Sequence, residues 1–389
     1  MNIKATIYNL MYTAIRFRWN ISYLLRHSSE LKQFRKAGFS FAKSEGEKDF
    51  VEKWKLIYFS PNVKYYRFYA SFIGNNVNIL PDDLFHMIIE PQLNNQNALS
   101  LYSDKNLYDM LVDEKAFPKS LLRNIDGDFL DENYHFVRMS NEKFRSSILE
   151  NPDIINMGHL IVKPSIDSCG GVGVRLFKRT DKKQWISNDG ILLSYETLLN
   201  LYSRNFIIQE CIEPSNFVRQ FNPESYNTFR VITYRSVVDD KPKLLGFYLR
   251  IGAKGCFKDN VHSGGFVCPV TPKGILSNYA MDGQRKFHTV VNGINLKQDT
   301  FVIPNYQGII NLAFEIAQKM ALQRLLSFDI ILNRENVPRI IEINIKNQTI
   351  TTIQTTIGPF FGEYTDEVIE YCRSNVNKIC YESVFRKIY

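Results

Sequence analysis

The chain reads as an α+β protein, a helical N-terminal region followed by sheet-rich segments, and three observations carry that reading. Leu326-Ser327-Phe328-Asp329-Ile330-Ile331-Leu332 and Arg339-Ile340-Ile341-Glu342-Ile343-Asn344-Ile345 are apolar, β-rich runs on either side of the polar turn Asn333–Pro338. His159-Leu160-Ile161-Val162-Lys163-Pro164 is a second apolar strand, separated from Val174-Arg175-Leu176-Phe177 by a turn holding Gly170, Gly171 and Gly173. Residues 1–95 read instead as helical. At 389 residues there is room for two or three subdomains and a sizeable core.

In chain order, residues 1–95 come first, basic and helical, with a candidate linker at Asn94-Asn95-Gln96-Asn97. Residues 1–48 hold nine Lys and Arg against three acids, a net +6 of the chain's +8. Ile7, Leu10, Met11, Ile15, Trp19 and Tyr23 recur there at helical spacing. Such a helix packs on its own domain, the reading favoured here, or lies on an anionic membrane surface or a partner. Charges interrupt the apolar run, so it is no signal peptide, and no stretch approaches a membrane span. The excess charge is terminal and no basic aromatic platform accompanies it, which argues against nucleic acid.

Residues 96–160 mix helices and short strands as a first subdomain, and residues 161–214 form a small lid. In the lid, Gly170, Gly171 and Gly173 let backbone N–H groups approach an anion, with Lys163 adding a point charge. No G-x-x-x-x-G-K-[ST] is present and no helix follows, so this is neither a P-loop nor a Rossmann turn. A glycine-rich hairpin lying over phosphates is the functional reading, and an ordinary glycine turn the bland one.

Residues 215–389 form a larger sheet domain, with helices expected around Ile309–Leu325 and Thr365–Asn377 and a hinge at Pro214-Ser215. Folding the 326–345 pair about its turn sets Asp329 opposite Glu342. The period of two puts Asn344 on the same face, opposite Ser327. Two carboxylates and an amide oxygen suit a hard divalent cation such as Mg²⁺. The alternative is a surface hairpin whose polar face meets water. The six cysteines form no C-x-x-C and no zinc spacing, as in reduced cytosolic proteins.

Taken in order, these motifs resemble the ATP-grasp superfamily from about Ser103 to Asn344. The resemblance implies two α+β subdomains clasping ATP between them, preceded by the helical region. It implies that Lys105 of Asp104-Lys105 and Lys163 reach ATP phosphate under the Gly170–Gly173 loop. Phe206-Ile207-Ile208-Gln209-Glu210-Cys211-Ile212-Glu213 is similar to the family's strand and nucleotide-binding hinge. There the backbone of residues such as Glu210 and Ile212 faces adenine, and Glu213 the ribose. Asn227-Thr228-Phe229-Arg230 resembles the arginine-bearing strand. Arg250, with Phe257, Asn260, His262, Gly264 and Gly265, resembles the Arg…Asn-x-His-x-Gly-Gly stretch of amino-acid-adding ligases. In those enzymes the arginine and asparagine face the γ-phosphate and the incoming acid; His262 is a candidate general base, with a substrate-orienting or structural histidine as the alternative reading. Asp329, Glu342 and Asn344 match the metal triad, for ATP with two Mg²⁺ ions.

The combination looks most like the sugar-transfer-associated ATP-grasp proteins of surface-polysaccharide biosynthesis. One departure is the loop Ile345-Lys346-Asn347-Gln348-Thr349, where many relatives carry a small residue, proline and glycine. The resemblance implies an ADP-forming carboxylate–amine ligase in the cytoplasm, working through an acyl phosphate on a sugar acid or an amino-acid-bearing sugar. A kinase phosphorylating a hydroxyl and an inactive nucleotide-binding partner protein are the alternatives.

Overall fold

The computed structural model describes residues 25–375 apart from 59, 113 and 167–170. Gly170 and most of the basic amphipathic segment, residues 1–24, lie outside the described residues.

Among the described residues no strand precedes Ser120. Residues 25–36 are helical, followed by helices Glu47–Trp54 and Val63–Ile73. The last is started by Asn62, whose side chain accepts from the Lys64 N–H, a cap for one orphan donor. Its Tyr65, Phe68 and Tyr69 recur at helical spacing and are fully buried, and Phe34 stacks on Phe68 with centroids 4.2 Å apart. A further helix runs from Asp82 to Leu93, with a π turn at Phe85–Ile89.

Two antiparallel sheets follow. The smaller comprises β1 (Ser120–Ile125), β2 (Asp128–Leu130), β3 (His159–Pro164), β4 (Arg175–Arg179), β5 (Trp185–Ser187) and β6 (Phe206–Glu210), in the order β2-β1-β6-β3-β4-β5. The segments 96–160 and 161–214 therefore share one sheet. Leu160, Val162, Phe177, Phe206 and Ile208 pack with Leu198 of the helix Tyr195–Tyr202.

The larger sheet comprises β7 (Phe229–Arg235), β8 (Pro242–Ile251), β9 (Phe266–Pro269), β10 (Ala280–Asp282), β11 (Phe287–His288), β14 (Leu325–Leu332) and β15 (Pro338–Asn344). Its order is β11-β10-β9-β8-β7-β14-β15; β12 (Val290–Val291) and β13 (Ile294–Asn295) make a separate hairpin. Alternation sorts its side chains. Phe229, Val231, Leu249, Phe328 and Ile330 pack with the helix Tyr306–Lys319. Ile232, Tyr234, Tyr248 and Leu325 face the other way, into the N-terminal helices and the helix Thr365–Ser374. Arg230 and Asp329 belong by parity to that second face, so the site and the helical region share one side of the sheet.

Two expectations change. The helix expected to reach Leu325 stops at Lys319, because the Arg324 N–H is taken by Leu93 O (3.1 Å) and Asn94 Oδ1 (3.0 Å) and β14 begins there. The polar run at Asn94 is no loose linker: Asn94 is fully buried, and its amide donates to Leu325 O and Ile345 O, both at 2.8 Å. No helix among the described residues is long and apolar enough to cross a membrane.

Candidate active site

The hairpin β14–β15 has the register that its turn and alternation give: Asp329 opposes Glu342, and Ser327 opposes Asn344. On the other side of β14, Asp329 opposes Arg230 of β7. That places a guanidinium beside a carboxylate, and the two pair bidentately, with Arg230 Nη2 to Asp329 Oδ2 at 2.9 Å and Nε to Oδ1 closer still. Arg250 donates to the same Oδ2 at 2.9 Å and to Asp259 Oδ1 at 2.7 Å. Asp259 in turn accepts from the Thr228 N–H (2.8 Å) and hydroxyl (2.5 Å). Burial raises the Asp329 carboxyl, but the two guanidinium charges outweigh it and hold the group below its ordinary value.

Glu342 is paired with Lys105, Nζ to Oε1 at 3.0 Å. Lys105 sits in a short turn capped by Asp104, whose carboxylate accepts from the Asn106 N–H, and its own N–H is held by Ser165 O at 2.9 Å. Lys163, at the end of β3, reaches across from the small sheet to Ile341 O at 3.2 Å. Burial and the nearby Lys105 charge push its amine down to about 7, against the pull of Glu342.

These groups meet in a cleft of about 130 Å³ between the two sheets. Lys105, Lys163, Gly171, Arg250, Asp329 and Glu342 all line it. So do Gln209, Glu210, Ile212, Phe257 and Asn260 from the expected set. The glycine turn closes one end with Gly171 at φ +71° and Gly173 at φ +76°, and Tyr202 donates to Gly173 O at 2.8 Å.

Other predicted residues are placed differently. The Glu210 N–H is taken by Lys119 O at 2.9 Å, so that donor is not turned to the cleft. Cys211 bonds the Tyr226 hydroxyl at 3.0 Å, and burial pushes its thiol up. Glu213 is exposed and directed to Arg219 (3.4 Å) and Arg334 (3.7 Å). His262 lies in the turn Val261–Ser263, its side chain outside the described set. Asn344 is half-buried, and its amide nitrogen finds no partner among the described residues.

Asp259 and Thr228 are the members of this network that sequence reasoning did not single out. Asp259 lies one residue before Asn260 in a motif already noticed, which is the signal that could have found it.

The donors fit a hard cation. Two carboxylates and the Asn344 side chain stand on one sheet face in adjacent register positions, an oxygen-donor set of the kind a hard cation takes. Among the described residues no group of three His, Cys, Asp or Glu is placed to hold a metal ion.

The model of the sugar-transfer associated ATP-grasp family matches residues 86–361. Similar solved structures include D-alanyl-alanine synthetase A from Vibrio cholerae, at 11% identity over 72% of this chain and 68% of that one, with a TM-score of 0.42. The D-alanine-D-alanine ligase from Coxiella burnetii is 10% identical over 74% of this chain and 64% of its own, with a TM-score of 0.40. A Hydrogenobacter thermophilus 2-oxoglutarate carboxylase biotin carboxylase domain, solved with MgADP, is 13% identical over 72% and 47%, with a TM-score of 0.39. The chain thus spans between about half and two thirds of these structures' lengths. No curated protein sequence matches the chain.

Proposed function

Because the chain belongs to the sugar-transfer associated ATP-grasp family, we propose that it is an ATP- and Mg²⁺-dependent carboxylate–amine ligase of the cytoplasm. The observation that carries this reading is the facing of two walls across one cleft. Asp329, Glu342 and Arg250 stand on the large sheet, opposite Lys163 and Gly171 on the small one. Adenine lies against Gln209, Glu210 and Ile212, with the phosphates running under the glycine turn toward Lys105 and Lys163. The small sheet acts as the lid, hinged at Pro214-Ser215.

Asp329, Glu342 and Asn344 would hold Mg²⁺, which offsets charge on the terminal phosphates. Both carboxylates are already compensated by this chain's own cations, so nucleotide arrival is an exchange. Lys105 turns from Glu342 to phosphate oxygen, and Arg250 from Asp329 to the transferring phosphoryl group and the acceptor carboxylate. Arg230 stays with Asp329 and keeps that carboxylate ionised. Asn260 and Phe257 line the acceptor end. No nucleophilic side chain is required, since positioning and electrostatics do the work.

The acceptor is proposed to be a sugar acid or an amino-acid-bearing sugar, activated as an acyl phosphate and captured by an amine. Product analysis tests it. A ligase releases ADP and inorganic phosphate in equal amounts, and hydroxylamine traps the acyl phosphate as a hydroxamate. A phosphorylated acceptor stable to hydroxylamine, with no free phosphate, would replace this reading with a kinase.

A further inference from the structure

We propose that Glu90, Asn94 and Gln348 form a clasp through which the N-terminal helical region positions Asn344, so that this region is part of the cation site. The proposal rests on the reading of Asp329, Glu342 and Asn344 as that site.

The loop after Asn344 departs from the small-Pro-Gly pattern, and the structure gives its Gln348 three connections. Its N–H donates to Glu90 Oε1 at 2.8 Å. Its Nε2 donates to the Asn344 carbonyl at 2.5 Å, and its Oε1 accepts from the Ser327 hydroxyl. Ser327 is the residue opposite Asn344 in the hairpin. One buried residue therefore ties both members of that pair, through its side-chain amide, to a carboxylate of the helical region, through its backbone N–H.

Glu90 is fixed from its other oxygen, which lies 3.2 Å from His86 Nδ1. It follows the π turn, its N–H bonded to Phe85 O five residues back, a local helix distortion often found at functional sites. Four residues on, Asn94 binds the same hairpin ends through four bonds. Its Nδ2 donates to Leu325 O and Ile345 O, and its Oδ1 accepts from the N–H groups of Arg324 and Leu325. Glu90, Asn94, Ser327 and Gln348 are all buried. The family match begins at residue 86, so the clasp lies inside it while most of the helical region does not.

A buried carboxylate and two buried amides are costly to keep unless every bond is made. An apolar contact would join the helices to the sheet at less cost. What the polar clasp adds is direction: it fixes the backbone carbonyl and the cross-strand neighbour of Asn344, as outer groups orient a metal ligand.

The test is Mn²⁺ binding to the full chain with ADP, followed by the electron paramagnetic resonance of free Mn²⁺. Gln348→Ala and Glu90→Ala should each weaken Mn²⁺ by about tenfold or more. ADP affinity in EDTA should not change. Glu90→Gln keeps an acceptor for the Gln348 N–H and should retain the parent's Mn²⁺ affinity. Should Gln348→Ala fail to fold, Gln348→Glu, equal in size but lacking the Nε2 donor, should show the same loss. Parent-like Mn²⁺ binding in a folded Gln348 variant overturns the clasp, and so does an equal loss of metal-free ADP binding. If the parent itself binds no Mn²⁺ with ADP, the cation site falls and the clasp with it, a result distinct from loss confined to the variants.

Discussion

The two walls of the cleft handle charge in opposite ways. On the large sheet, Asp329 is shared by Arg230 and Arg250, Arg250 is held again by Asp259, and Glu342 takes Lys105. On the small sheet, Lys163 is buried against a backbone carbonyl, beside a turn in which Gly171 and Gly173 have positive φ. The carboxylates of the large-sheet wall are already paired before any ligand arrives, Glu342 by a lysine that reaches it from the other side. The other wall brings the Lys163 amine to the cleft on a backbone carbonyl rather than on a carboxylate. Removing a group should therefore damage the fold on the first wall and the ligand response on the second.

The largest effect is expected at Asp329. Asp329→Ala leaves two buried guanidiniums without their shared carboxylate and should cost about 3–5 kcal/mol in urea unfolding, as broken buried pairs do. Turnover should be lost as well. Glu342→Gln should lose turnover equally, but its side chain is 28% exposed and its single partner is a lysine. Its stability cost should be smaller, about 1–2 kcal/mol, because the glutamine oxygen still accepts from the buried Lys105. Equal destabilisation by the two substitutions would break the comparison, because it would mean the ion pairs around Asp329 carry nothing extra.

The second effect is the pH response of Lys163. Its amine gives up its proton near pH 7 in the fold and near 10.5 when unfolded. Between those values the unfolded chain binds more protons, so stability should rise with pH across that window. Relative to Lys163→Met, which has no such proton, the parent should gain on the order of 2 kcal/mol from pH 7 to 9. Urea midpoints at matched pH read this directly. A flat difference would mean that Lys163 is solvated, and that the two walls differ less than their contacts indicate.

How much of this was legible in the sequence varies with the kind of contact. The register of Asp329 with Glu342 followed from local pattern, since a polar turn between two apolar runs fixes both pairing and parity. The strand before the glycine turn was legible for the same reason. The pairing of Lys105 with Glu342 joins residues far apart in sequence, and no local pattern encodes it. Asp259 looked like any loop acid, because its partners Thr228 and Arg250 come from neighbouring strand ends. Asn94 was misread because a run of amides has linker composition. Only the fold reveals that its amide satisfies four backbone groups on two strand ends.

The smallest effect separates two glycines of one turn and sharpens the account of the second wall. Gly171 and Gly173 both have positive φ, so alanine at either costs about 1–2 kcal/mol of backbone strain. They differ in what an added Cβ meets. At Gly171 it would lie 3.4 Å from the Lys258 Cδ, an ordinary contact with a movable side chain. At Gly173 it would lie 2.9 Å from the Pro164 Cγ, a rigid ring following Lys163. Gly173→Ala should therefore be the more destabilising of the two and should displace Lys163, lowering the thermal shift produced by ATP with Mg²⁺. Gly171→Ala should leave more of that shift intact. If the two variants respond to nucleotide alike, the turn acts as one flexible unit, and the link from Gly173 through Pro164 to Lys163 is not what aims the lysine.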